Sequence, residues 1–252
     1  MPDIDQMGVR NKILRALPPA EFKLVMGSVT RIELELGQNL HRAGDIIDYL
    51  YFIDSGFTSV LTVLSDGQPL EIGLIGREGL VGVNVVLGAT NSYSETMCQT
   101  SGGAWRIPAA AFRDLLPRCP RLAELLLRYI YVFNIQVAQT AACNAHHDLG
   151  QRLARWLLAA HDRSEVPELS LTQDLIAVML GVRRSTVSIA AATLQKAGVI
   201  RYQHGRITIL DRGGLENAAC ECYESVASEY RRMLLGPPEA GDAIGFSALR
   251  EQ

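Results

Sequence analysis

The sequence predicts an α+β fold in three zones: an N-terminal antiparallel β-roll, a long central helix, and a C-terminal helix-turn-helix with a β-hairpin. Three observations carry this. Before Pro117, short apolar runs alternate with glycine-bearing turns, the rhythm of an antiparallel sandwich or roll. From Arg121 to Asn144 there is neither glycine nor proline, and apolar residues recur at helical spacing. From Thr172 to Leu194, two short helical patterns meet at Gly181.

In chain order, Asn11–Met26 reads as a helical lead-in broken by Pro18-Pro19. Strands follow at Arg31–Leu36, Tyr49–Asp54, Thr58–Leu64 and Glu71–Ile75, with Ser65-Asp66-Gly67 as a tight hairpin turn. The central helix repeats Leu122, Leu125, Leu126, Tyr129, Phe133, Val137 and Ala141. At about 1.5 Å per residue it exceeds what one small sheet needs, so part of its stripe is expected to face a second subunit. Leu149–His161 forms an amphipathic helix with Leu153, Trp156, Leu157 and Ala160 on one side. The expected divisions are a roll over 1–118, a dimerisation helix over 119–146, the C-terminal module over 147–235, and a disordered tail over 236–252.

Composition narrows the classes. The chain has 252 residues and is 48% apolar and 20% charged, the balance of a globular protein. No apolar run approaches the ~18 residues of a membrane span, and Met1–Arg10 lacks a signal-peptide core, so no membrane and a cytoplasmic location are expected. Five cysteines at irregular spacing argue against a disulfide framework. Cys220 and Cys222 form a C-x-C pair, but no third and fourth ligand lies near them in sequence, so no metal is expected. His41 is the only histidine before His146, which removes a multi-histidine enzyme centre from the roll. No G-x-S-x-G nucleophile motif occurs.

The net charge of −3 is unevenly spread. Residues 172–212 hold six cations (Arg183, Arg184, Lys196, Arg201, Arg206, Arg212) and two acids (Asp174, Asp211), a net of +4 that leaves −7 on the rest. A basic module on an acidic body is expected when only one part meets phosphates. Within it, Thr172 suits an N-cap, and Asp174 complements the helix dipole. Ala177, Gly181 and Val187 occupy the close-crossing, turning and core positions of a helix-turn-helix. Gly198-Val199-Ile200 and Ile207-Thr208-Ile209-Leu210 flank the glycine-bearing stretch Arg201–Arg206 as a hairpin wing with arginines on both sides.

The inward residues of the second helix leave Arg184, Ser185 and Ser188 outward near its N-terminal end, which enters the major groove of double-stranded DNA in such modules. Arg184 suits bidentate contact with a guanine edge; Ser185 and Ser188 discriminate more weakly. Thr172, Arg183, Thr186, Lys196 and Arg206 are assigned to phosphates.

Roll, long helix and winged helix-turn-helix in that order resemble the Crp/Fnr family of bacterial regulators. The likeness rests on Gln151-Arg152-Leu153-Ala154-Arg155-Trp156-Leu157-Leu158, on Leu180-Gly181-Val182-Arg183-Arg184-Ser185-Thr186-Val187, and on Leu194-Gln195-Lys196-Ala197-Gly198-Val199-Ile200. It implies a transcription regulator, a homodimer through Arg121–Asn144 on a pseudo-palindromic site, RNA polymerase as a partner, and a cyclic-nucleotide-binding-like roll as sensor. Gly76, Arg77, Glu78 and Gly79 resemble the start of that roll's effector pocket. Yet no lysine or arginine occurs from Glu78 through Trp105 to meet a cyclic phosphate, and Val137-Ala138 stand where base-binding hydroxyls are expected. Cyclic AMP in the usual mode is therefore not expected. The family's N-terminal iron–sulfur mode fails too, because the first cysteine is Cys98; no histidine specifically supports haem. The cofactor is left unknown. Signals are expected to pass from roll to C-terminal module through the helix and the joint at His146-His147-Asp148.

Overall fold

Glycines at positive φ mark the chain reversals of the roll: Gly37, Gly56 and Gly67 each follow a strand run and turn the chain where a side chain would be strained. The computed structural model describes residues 5–65, 67–164 and 168–234. Asp66 of the predicted hairpin turn, Pro167 and the 236–252 tail lie outside the described residues.

The lead-in forms α1 (Lys12–Arg15) and α2 (Pro19–Met26). Asn11 caps α1, and its buried amide donates to the carbonyls of Ile53 and Gly79, both at 2.9 Å, fastening the lead-in to the roll. Among the described residues eight strands build the roll: β1 (Thr30–Leu34), β2 (Asn39–His41), β3 (Tyr49–Ser55), β4 (Thr58–Val63), β5 (Pro69–Ile75), β6 (Leu80–Val81), β7 (Glu95–Cys98) and β8 (Gly102–Pro108). They pair antiparallel in two sheets, β1-β8-β3-β6 and β2-β7-β4-β5. The four strands read from sequence are all present.

After α3 (Ala109–Leu115) comes the long helix α4 (Pro120–His146). Its stripe differs from the predicted one. Leu122, Leu125, Leu126 and Tyr129 are buried as expected, but the buried line continues through Val132, Gln136, Thr140 and Cys143. Phe133 and Val137 are only half-buried. The cause is polar packing: the Gln136 amide donates to Leu74 O of β5 at 3.1 Å and accepts from Arg163 Nη2 at 3.2 Å. Most of the predicted stripe is thus spent within the chain. A second line stays exposed at alternating steps of four and three: Leu127, Tyr131, Asn134, Ala138, Ala141 and Ala145.

The C-terminal part comprises α5 (Leu149–Arg163), β9 (Glu168–Ser170), α6 (Gln173–Leu180), α7 (Arg184–Lys196), β10 (Ile200–Gln203), β11 (Arg206–Ile209), α8 (Arg212–Ala218) and α9 (Cys222–Leu234). Strand β9 was not predicted; it adds a third strand to the wing by pairing with β11. Helix α9 turns back and packs along α4.

The roll and this module share one core. Phe57, Leu61 and Leu74 pack in the same cluster as Leu153, Trp156, Leu157, Met179 and Leu180. At its centre lies the buried Glu71, which accepts from Ser59 Oγ at 2.5 Å and from Trp156 Nε1 at 2.8 Å. Burial pushes its carboxyl up to about 7, partly offset by those two hydrogen bonds. Sequence reading joined the two parts only through α4 and its joint. The direct contact was missed because nothing in a strand's residue pattern says which helix covers it.

Candidate nucleic-acid interface

Helix α6 begins where Thr172 Oγ1 accepts from Leu175 N at 3.2 Å, a side-chain cap on an otherwise unpaired donor. It buries Ile176, Ala177, Met179 and Leu180. Gly181 then takes φ +63, ψ +41, and the Val182 amide closes the turn on Ala177 O at 3.0 Å. The positive φ is what requires glycine here; a Cβ would also stand 2.7 Å from Leu70 Cδ1 of the roll, a side-chain end that would have to shift. Helix α7 leaves at 105° to α6, within the usual helix-turn-helix range. It buries Val187, Ala190, Ala191 and Leu194, the inward set expected from sequence.

The opposite face of α7 is polar and open at its N-terminal end. Arg183, Arg184, Ser185 and Thr186 are all exposed and share the first turn. Arg183 sits at the N-cap without capping by its side chain, so first-turn amides stay available to an anion. Ser188 is less free than expected: it is half-buried, and its hydroxyl donates to Gln173 Oε1 at 2.6 Å. Ile189, one position on, is 69% exposed, whereas Val187, Ala190, Ala191 and Leu194 of the same helix are buried. An exposed apolar side chain there matches a thymine methyl group.

Two of the assigned cations carry ion pairs. Arg184 Nε lies 3.6 Å from Asp174 and Arg206 Nη1 lies 2.8 Å from Glu168. Both pairs are exposed, so each is worth little and a phosphate or base edge can replace it. The wing turns at His204 (φ 51) and Gly205 (φ 74), the twin left-handed residues of a tight hairpin, and presents Arg201 and Arg206 to solvent. Lys196 does not join the Arg183–Thr186 group. It ends α7, about 18 Å along the axis from Arg184.

Comparison with known proteins agrees with this geometry. Residues 151–218 match the model of a Crp-like helix-turn-helix domain, and residues 31–119 match that of a cyclic nucleotide-binding domain. The chain belongs to the Crp/Fnr family and is a DNA-binding transcription regulator.

Its relatives are regulators, not enzymes. The global nitrogen regulator of Synechococcus elongatus is 23% identical, covering 71% of this chain and 85% of that protein. The CRP-like cAMP-activated global transcriptional regulator of Mycobacterium tuberculosis is 23% identical, over 86% of this chain and all of its own. The solved structure of FixK2 from Bradyrhizobium japonicum shares the fold, with a TM-score of 0.66 at 16% identity, over 76% of this chain and 98% of that one. Among the described residues no single helix is long and apolar enough to cross a membrane.

In this Crp/Fnr member, Gly76, Arg77, Glu78 and Gly79 form the link from β5 to β6, and Gly76, Glu78 and Gly79 lie against α4 and α5. A Cβ on Gly79 would stand 2.4 Å from Tyr129 Oη, and one on Gly76 would meet the Arg163 side chain at 2.8 Å. Glu78 is buried; its Oε1 accepts from Gly76 N at 3.1 Å and from Arg163 Nε at 2.7 Å. It faces a cavity of about 260 Å³ that Lys12, Gln136, Arg163, Tyr223 and Tyr230 also line. The segment thus serves contact with α4 and α5.

Proposed function

We propose that this regulator works as a homodimer on a pseudo-palindromic duplex site, with Arg184 as its principal base-reading residue. The carrying observation is the open first turn of α7, where Arg183, Arg184, Ser185 and Thr186 lie together beside an arginine-bearing wing. Arg184 addresses a guanine edge, Ile189 a thymine methyl, and Ser185 and Ser188 add weaker discrimination. Arg183, Thr186, Arg206 and the hydroxyl of Thr172 hold phosphates, with Lys196 serving a more distant one.

Dimerisation through residues 121–144 draws support from the exposed stripe on α4. Steps of four and three give a coiled-coil seam, alanines allow close approach at one end, and Asn134 can set register. Two recognition helices would then lie about 34 Å apart, one turn of DNA. RNA polymerase is the partner this family membership suggests, and the roll over 1–118 is its sensor. That roll does not read a cyclic phosphate through an arginine of the 78–105 segment, which has none; nearby Arg106 stacks 4.4 Å from the Tyr49 ring centroid.

The test is a mobility shift on fragments of the source genome, titrated with salt. Affinity should fall steeply with salt, because a dimer neutralises several phosphates. A flat dependence, or no retention of any fragment, would contradict the reading.

A further inference from the structure

The fold completes what the C-x-C pair lacked. Cys143 lies on the last turn of α4, and His147, four residues on, caps it, so both point from one helix face. The turn between α8 and α9 brings Cys220, and the first residue of α9, Cys222, to the same place. The three Sγ atoms and a ring nitrogen of His147 lie within 4.8 Å of one another. Cys143 Sγ is 3.5 Å from Cys220 Sγ, and Cys222 Sγ is 3.5 Å from His147 Nδ1. A tetrahedral ion with bonds of about 2.3 Å to sulfur and about 2.0 Å to nitrogen needs ligand separations of roughly 3.5–3.8 Å. These spacings enclose a single ion and leave no room for a cluster.

The surroundings are those of a metal site. His147 Nε2, the nitrogen facing away from the sulfurs, lies 3.3 Å from Glu221 Oε1, the carboxylate partner that fixes the ring of a ligating histidine. Gln139 Nε2 donates to Cys222 Sγ at 3.0 Å, which stabilises a thiolate. A divalent ion with three thiolates carries a net −1. Arg152 and Arg155 both act electrostatically on Cys143, and their buried Nε atoms have no hydrogen-bond partner among the described residues. Buried Arg155 and half-buried Arg152 beside the three sulfurs offset that negative charge.

We propose that Cys143, His147, Cys220 and Cys222 bind one thiophilic divalent cation, zinc by the donor set, pinning α9 to the joint between α4 and α5. Thiolates and imidazole in tetrahedral array select zinc over the hard cations. The joint lies between the sensor's long helix and the DNA-binding module, so the ion would brace the joint that carries α5 and the module beyond it.

The full chain, purified under a non-thiol reductant and dialysed against zinc or cobalt, should carry one ion per chain by native mass spectrometry. Cobalt should give the intense visible bands of a tetrahedral site and a thiolate charge-transfer band. Cys143→Ser and Cys222→Ser should drop the ratio to background while binding in the wild-type chain persists. Glu221→Ala should keep the ion but weaken its affinity by about 10–100-fold. If Cys143→Ser fails to fold, Cys222→Ser and the wild-type cobalt spectrum decide. Weak octahedral cobalt bands, an unchanged metal ratio in Cys222→Ser, or iron with stoichiometric sulfide would each overturn the proposal.

Discussion

Arg184 and Glu71 show two fates of a charged residue in this chain. Arg184 is open to solvent on the first turn of α7 and paired loosely with Asp174, so the proposed contact with a base edge would cost it little. Arg184→Ala should lose about 1–3 kcal/mol on the selected site and much less on random DNA, measured by fluorescence anisotropy. Equal losses on both would reassign it to phosphate contact. Glu71 is the reverse case, a carboxyl enclosed between the roll and α5. Its ordinary value of 4.5 rises to about 7 on burial, so the fold holds the neutral form. The stabilisation it brings is complete below 4.5 and is lost as pH climbs through about 7. Glu71→Gln should flatten the fall in unfolding midpoint over that range and leave the variant firmer at about pH 8. The same pH slope in both proteins would exclude the buried carboxyl as the cause. Arg184 was legible in sequence because helical periodicity assigns its face. Glu71 was not, since its burial depends on Trp156, 85 positions away.

Among elements, the α6–α7 unit was read almost whole, because its signals are local: an N-cap at Thr172, a glycine turn and two inward sets. Gly181→Ala should destabilise the chain by about 1–3 kcal/mol in urea unfolding, from the left-handed backbone and from the Leu70 contact. An unchanged midpoint would contradict the left-handed turn at Gly181. Helix α4 was read to within two residues of its limits, but most of the stripe expected to be shared with a partner is spent within the chain. Periodicity finds a stripe, but two lines of α4 are apolar, and polar Gln136 and Thr140 on the buried one disguise it. Gln136 is buried because β5 and Arg163 supply its partners, which sequence spacing cannot show. The cysteine cluster was missed for the same reason: Cys143 and Cys220 lie 77 positions apart and meet only because α9 folds back along α4.

For the whole molecule, roll and DNA-binding module are joined in two ways, through the α4–α5 joint and through a shared core in which β4 and β5 pack with α5 and α6. The charge is divided between a −7 body and a +4 module, the asymmetry that favours encounter with DNA through the module. Dimerisation belongs to this scale. Ala138→Asp, placed on the exposed seam, should leave the fold intact and convert dimer to monomer by light scattering at micromolar concentration. A dimer of unchanged stability would move the interface elsewhere.

The most direct measurement is selection of random duplexes by the full-length chain, followed by the stoichiometry of the complex on the enriched site. The account predicts an inverted repeat with half-site centres about one helical turn apart, two chains bound per duplex, and loss of the enriched guanine preference in Arg184→Ala. Enrichment of no sequence, or of a single unrepeated site bound by one chain, would contradict it.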